Sequence, residues 1–132
     1  MKKTVLIVED HDSLRQLLGA YLTRRYRVVA AKNGLEALAW MHKGVIPDAI
    51  ITDLGMPELD GWSFIAQLQH SGLFCDIPRI VITGEADTLA DRYTAGYDLD
   101  FLLKKPFNPT VLDEKLHVLL HRDTTTASSN HQ

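Results

Sequence analysis

Acidic, hydroxyl and ammonium side chains recur in this chain at one kind of place, the ends of short, β-branched apolar runs. Glu9-Asp10 follows Thr4–Val8, Asp53 follows Asp48–Thr52, Thr83 closes Arg79–Thr83, and Lys104-Lys105 follows Phe101–Leu103. Two unit charges about 4 Å apart repel by roughly 4 kcal/mol at an effective dielectric near 20. Three clustered carboxylates therefore call for a cation. Carboxylate oxygens with a nearby backbone carbonyl suit Mg2+, with Mn2+ as the alternative. A Mg2+ with open positions attracts phosphate oxygens; Thr83 can donate a hydrogen bond to one, and a lysine supplies a point charge. The set reads as a phosphoryl-transfer site. Its nucleophile is an aspartate, because no serine, cysteine or histidine stands at a strand end with a base beside it. Asp53 is the candidate, since it alone leads into a structured turn, Leu54-Gly55-Met56-Pro57.

These groups meet only if the runs are neighbouring strands. Short β-branched runs alternating with helix-like stretches are the pattern of βαβ units and a parallel sheet, where ligands bind beyond the carboxyl ends of the strands. The expected strands are Thr4–Val8, Tyr26–Ala30, Asp48–Thr52, Arg79–Thr83 and Phe101–Leu103. Several are apolar almost throughout, as strands covered on both faces are. Five helices are expected between and after them. The first carries Leu14, Leu17, Leu18, Tyr21 and Leu22 on one face, with Asp12 as N-cap. The second opens on Asn33 with Glu36 in capping-box spacing, and the third follows Asp60-Gly61 and buries Phe64, Ile65 and Leu68. The fourth, about Asp87 to Ala95, has only Leu89 and Tyr93 as large apolar residues. The fifth begins at Asn108-Pro109 and carries Leu112, Leu116, Leu119 and Leu120.

Composition sets the outer limits. The 132 residues, 45% hydrophobic and 23% charged, suit one soluble domain with its own core. A single cysteine, Cys75, rules out an intrachain disulfide or a Cys-rich zinc site. Apolar runs are too short to span a membrane, and Met1–Thr4 leads too soon into acids for a signal peptide, so a cytoplasmic protein is expected. The net charge of -3 conceals an asymmetry, because residues 1–32 carry seven bases against three acids. Those bases are spread over several elements without an aromatic platform, which argues against direct nucleic-acid binding and for a protein-docking face. The domain is expected over residues 1–122, with 123–132 a flexible tail or the start of a linker.

The stretch Asp53-Leu54-Gly55-Met56-Pro57-Glu58-Leu59-Asp60-Gly61 resembles the D-x-x-M-P-x-x-D-G signature of bacterial two-component response-regulator receiver domains. Glu9-Asp10, Ile82-Thr83-Gly84 and Lys105-Pro106-Phe107 match further motifs of that family in order. The resemblance runs over about residues 4–121 and implies a flavodoxin-like (βα)5 three-layer sandwich with parallel strand order 2-1-3-4-5. It implies Asp53 as phosphoacceptor, and a Mg2+ site of Glu9, Asp10, Asp53 and the Gly55 carbonyl, with Asp10 a direct ligand and Glu9 more often acting through water. It also makes Thr83 the switch hydroxyl and Lys105 the phosphate-binding lysine ahead of a cis proline. The usual aromatic three residues before that lysine is Leu102 here. Taking Lys104 instead would put Phe101 in that place, but only Lys105 precedes Pro106. The implied partners are a histidine kinase or phosphotransfer protein, meeting the first helix near Leu14, Leu17, Leu18, Tyr21 and an exposed Arg15, and an unknown effector. The effector would read a face formed by the fourth helix, fifth strand and fifth helix. Such a domain catalyses its own phosphorylation and dephosphorylation and is not a turnover enzyme.

Two other readings use the same residues. Asp10-His11-Asp12 is a D-x-D after the first strand, as in haloacid-dehalogenase-like phosphatases with Asp10 as nucleophile, though no final acidic motif follows Lys105. The chain could also be the receiver part of a longer DNA-binding or enzymatic regulator. His117 and His121, at i, i+4 spacing without a third ligand, read as a solvated face. Trp40 and Trp62 read as packing residues and Cys75 as inert.

Overall fold

A computed structural model describes residues 2–55, 58–84 and 96–129, with side chains up to residue 121. The elements are β1 (Thr4–Val8), α1 (Asp12–Leu22), β2 (Arg27–Ala31), α2 (Gly34–His42), β3 (Ala49–Asp53), α3 (Gly61–Gln69), β4 (Arg79–Thr83), β5 (Phe101–Lys104) and α4 (Pro109–Ser129). The fourth expected helix, Asp87 to Ala95, and Met56-Pro57 lie outside the described residues. All five strands are parallel, in the order β2-β1-β3-β4-β5. This is the flavodoxin-like order expected.

Strand alternation sorts the core into two layers. Val5, Ile7, Ile51, Ile80 and Ile82 pack with Leu18 and Leu22 of α1 and Leu112 and Leu116 of α4. The intervening Leu6, Val8 and Ile50 pack with Ala37 and Met41 of α2 and Phe64 and Leu68 of α3. Each of these Val, Leu, Ile, Met and Phe side chains, fully buried, contributes about 1.5–3 kcal/mol relative to leaving it in water. A sheet covered on both faces leaves only its two edges and the strand ends open to ligands.

Two strands lie one residue later than expected. Tyr26 joins the α1–α4 core instead of β2, and Val8 pairs with Ala31, so β2 starts at Arg27. Asp48 is taken up by β1, its backbone N–H donating to Thr4 O and its Oδ2 accepting from Thr4 N, each at 2.7 Å. Asp53 thereby becomes the last residue of β3. The cap assigned to Asp12 also changes. His11 holds the N-cap position without a side-chain cap bond, and Asp12 is the acid of the first turn. His11 turns toward Glu9 and Asp10, and the Asp12 carboxylate pairs with Arg15.

The other expected caps form. Asn33 Oδ1 accepts from Glu36 N at 2.8 Å, and Glu36 Oε1 reaches back to Lys32 N at 2.9 Å, one residue before the reciprocal box position. Asp60 Oδ1 accepts from Ser63 N at 2.8 Å, and Asn108 Oδ1 from Thr110 N at 2.9 Å. The backbone of α4 continues as helix to Ser129, past the boundary expected after residue 122.

Candidate functional site

β1, β3 and β5 end at one edge of the sheet, where Glu9 just after β1, Asp53 at the end of β3 and Lys105 just after β5 converge. Asp53, 4% exposed, accepts from Leu54 N at 2.7 Å through Oδ1, and its Oδ2 lies 3.1 Å from Lys105 Nζ. The same ammonium lies 3.1 Å from Oε1 of the fully buried Glu9. Lys105 N donates to Thr83 O at 2.7 Å, which ties the ends of β4 and β5 together. Thr83 is itself buried at this edge.

Helix α3 holds the acceptor loop from below. Gly61 N donates to Leu54 O at 2.8 Å, and a Cβ at Gly61 would stand 2.0 Å from Asp53 O. Only glycine allows that approach. Glu58, in the same loop, has φ +67°, a left-handed conformation uncommon outside glycine and one that recurs at functional loops.

Burial by itself lowers the Lys105 pKa, but the hydrogen bond and charge of Asp53, reinforced by Glu9, hold it above the usual lysine value. One ammonium against three carboxylates leaves two formal negative charges, the complement of a divalent cation. Among the described residues, Asp10 Oδ1 is buried without a hydrogen bond, and Glu9 Oε1 is buried with only the Lys105 ammonium beside it. Buried carboxylate oxygens left so are costly unless a cation joins them. The donor set therefore fits a hard divalent ion: Glu9, Asp10 and Asp53 each bring an oxygen within 4.8 Å of the others. Gly55 lies in the bend that follows β3.

The same group includes a ring nitrogen of His11. No histidine was expected beside these acids, yet His11 Nδ1 lies 3.0 Å from Glu9 Oε2 and 3.5 Å from Asp10 Oδ1. Its pKa is raised by the Glu9 hydrogen bond first and the Asp10 charge next. Its position directly after Glu9-Asp10 was the only signal available.

Arg15 also differs from expectation. Its side chain is 14% exposed, Nη1 donates to Glu9 O at 2.9 Å, and Nη2 pairs with Asp12. It braces the β1–α1 loop and is not an exposed docking residue. Asp12 is drawn to Arg15 and stays outside the acidic group, so the D-x-D supplies only Asp10 to the site.

Sheet register places the two lysines and the two candidate switch residues. Lys104 pairs with Thr83 in the ladder and is exposed, while the Lys105 ammonium is the one at Asp53. Leu102, opposite Val81, packs with Leu54, Ile65 and Val81 on the α3 side. Phe101 packs on the opposite, α1–α4 side, with Lys115 Nζ 4.8 Å from its ring centroid. The Lys105–Pro106 peptide is cis.

The family follows from comparison with known proteins. Residues 5–117 match the response regulator receiver domain family. A probable transcriptional regulator ycf27 of Guillardia theta is 38% identical over 98% of this chain and 50% of its own length. The chain spans about half the length of the ycf27 relatives. The chemotaxis protein CheY1 of Helicobacter pylori is 31% identical over 88% of this chain and 95% of its own. Among solved structures, chemotaxis response regulator CheY4 of Vibrio cholerae superposes with TM-score 0.81 at 30% identity, covering 91% of this chain and all of that one. Fold, strand-end chemistry and sequence agree: this chain belongs to the response regulator receiver family.

Proposed function

We propose that the domain accepts a phosphoryl group on Asp53 from a phosphohistidine of a sensor kinase or phosphotransfer protein, in the cytoplasm. The observation that carries this is the buried Asp53 carboxylate, 3.1 Å from Lys105 Nζ and grouped with Glu9 and Asp10. As an Asp53 oxygen bonds to phosphorus, the P–N bond breaks, and the leaving imidazole nitrogen keeps the electron pair and takes a proton from water. Lys105 meets the charge gathering on the phosphoryl oxygens, and the Thr83 hydroxyl donates to one of them. A Mg2+ held by Glu9, Asp10, Asp53 and the Gly55 carbonyl supplies charge neutralisation on the transferring group. Hydrolysis uses the same groups: water attacks phosphorus, the Asp53 O–P bond breaks, the carboxylate keeps the electron pair, and inorganic phosphate leaves with the water's oxygen.

The donor's helix would sit in an apolar groove of about 390 Å³ beside Lys105, lined by Leu14, Leu17, Leu18, Pro106, Phe107 and Pro109. Leu17, 59% exposed, is an anchor for such a helix. Thr83 and Leu102 form the switch, and its effector face includes β5 and α4. Because the ycf27 relatives are about twice as long, the same site would serve equally as the receiver of a longer regulator.

Incubation with Mg2+ and acetyl phosphate tests the assignment. One alkali-labile phosphoryl group should appear by intact-mass measurement, and Asp53→Asn should gain none. Labelling that survives Asp53→Asn but not Asp10→Asn would transfer the nucleophile to Asp10 and overturn it.

A further inference from the structure

The imidazole of His11 sits where a fourth donor to the acidic cluster would stand. In an octahedral site with ligands about 2.1 Å from the ion, adjacent donors are roughly 3 Å apart and opposed ones roughly 4.2 Å. His11 Nδ1 lies 3.0 Å from Glu9 Oε2, to which it is hydrogen-bonded, and 3.5 Å from Asp10 Oδ1, both spacings close to that of adjacent donors; the four groups span up to 4.8 Å, so they must draw in by about half an ångström to meet one ion. Freeing the ring nitrogen for an ion does not strand Glu9, because the His11 backbone N–H also donates to Oε2, at 3.1 Å. The ring is exposed on its outer side, so it can adjust to the ion without moving the core.

We propose that His11 is a ligand of the cation held by Glu9, Asp10 and Asp53, making this a mixed nitrogen–oxygen site that favours Mn2+ and other first-row divalent ions over Mg2+. This rests on the metal-dependent reading of the site given above. The selectivity follows from ligand chemistry. Imidazole nitrogen suits transition ions, whereas Mg2+ sheds water reluctantly and gains little from a nitrogen donor.

The probe is Mn2+ added to the full, tag-free chain and followed by electron paramagnetic resonance, with Mg2+ as competitor. Pulsed spectra of bound Mn2+ should show coupling to a directly bound nitrogen, and His11→Ala should remove it while His117→Ala keeps it. His11→Ala should weaken Mn2+ binding on the order of tenfold and change Mg2+ competition by less than about twofold. Mn2+ that binds the wild type without nitrogen coupling, yet is lost with Asp10→Asn, overturns the His11 assignment and leaves the carboxylate site standing. Equal weakening of both ions by His11→Ala overturns it too. Binding indifferent to Asp10→Asn overturns the metal-dependent reading along with it.

Discussion

The two ends of the sheet carry similar polar side chains and bond them to different degrees. At the amino edge, Asp48 exchanges two bonds with the Thr4 backbone, and Asp100 exchanges two with that of Arg79, each of these last at 2.9 Å. The Arg79 guanidinium, 2% exposed, donates through Nε and Nη2 to Ile77 O and through Nη2 to Cys75 O, leaving Nη1 without a bond. At the carboxyl edge, Asp10 Oδ1 has no hydrogen bond among the described residues, and one ammonium is shared by the Glu9 and Asp53 carboxylates. Polar groups bonded within the chain hold loops to the core. Polar groups left partly unmet lower stability and keep an affinity for a ligand, the trade usual at functional sites.

The largest effect should come from breaking the amino edge. Arg79→Ala removes a buried side chain and strands the Cys75 and Ile77 carbonyls, so urea unfolding should show a loss of about 3–5 kcal/mol. Mg2+ should still raise the midpoint, because the site lies at the other edge. A loss below about 1 kcal/mol would mean water replaces the guanidinium and the edge is less closed than described.

Gly61→Ala sharpens the contrast by straining the carboxyl edge without changing its charge. The added methyl would meet Asp53 O at 2.0 Å, so α3 must shift. We expect a cost of about 1–3 kcal/mol and loss of acetyl-phosphate labelling together. Loss of stability with normal labelling would show that the acceptor is positioned independently of α3.

Much of this was readable from residue types. Strand-end acids marked Glu9, Asp10 and Asp53, and Asn33, Asp60 and Asn108 announced helix starts through local bonds that any chain with those residues can form. The unreadable parts depend on tertiary direction. Helical spacing places Arg15 beside the Leu14–Leu18 face but cannot show its guanidinium turning back to Glu9 O. Whether Phe101 or Leu102 shares the α3 side depends on the parity of β5, which only its register with β4 sets. His11 looked like a spacer between two aspartates, because its partners are chosen by the backbone turn after β1.

Arg15→Ala should have a smaller effect on stability, about 1–2 kcal/mol, through the loss of its bond to Glu9 O. Labelling from acetyl phosphate and from a phosphohistidine donor should fall by the same factor, since the acid loop loosens for both. A loss confined to the protein donor would restore Arg15 to the docking surface.

Lys105 supplies the mildest test, in alkali. Its folded pKa is raised above the usual 10.5, so its attraction to Asp53 and Glu9 is present at neutral pH and lost as pH rises through the folded value. The stability difference between wild type and Lys105→Met should therefore shrink above about pH 10.5 and stay constant from pH 7 to 9. A difference that does not change in alkali would mean the ammonium gains nothing from the carboxylates.

Three carboxylates crowd around one ammonium, and thermal unfolding of Asp10→Asn with and without Mg2+ tests most directly whether they await a cation. Without Mg2+ the variant should be as stable as wild type or more so, by up to about 1 kcal/mol, because one repelling charge is gone. Mg2+ should raise the wild-type midpoint and leave that of Asp10→Asn unchanged. A variant that is less stable without Mg2+, or that Mg2+ stabilises as much as wild type, would show that Asp10 serves the fold and not a cation.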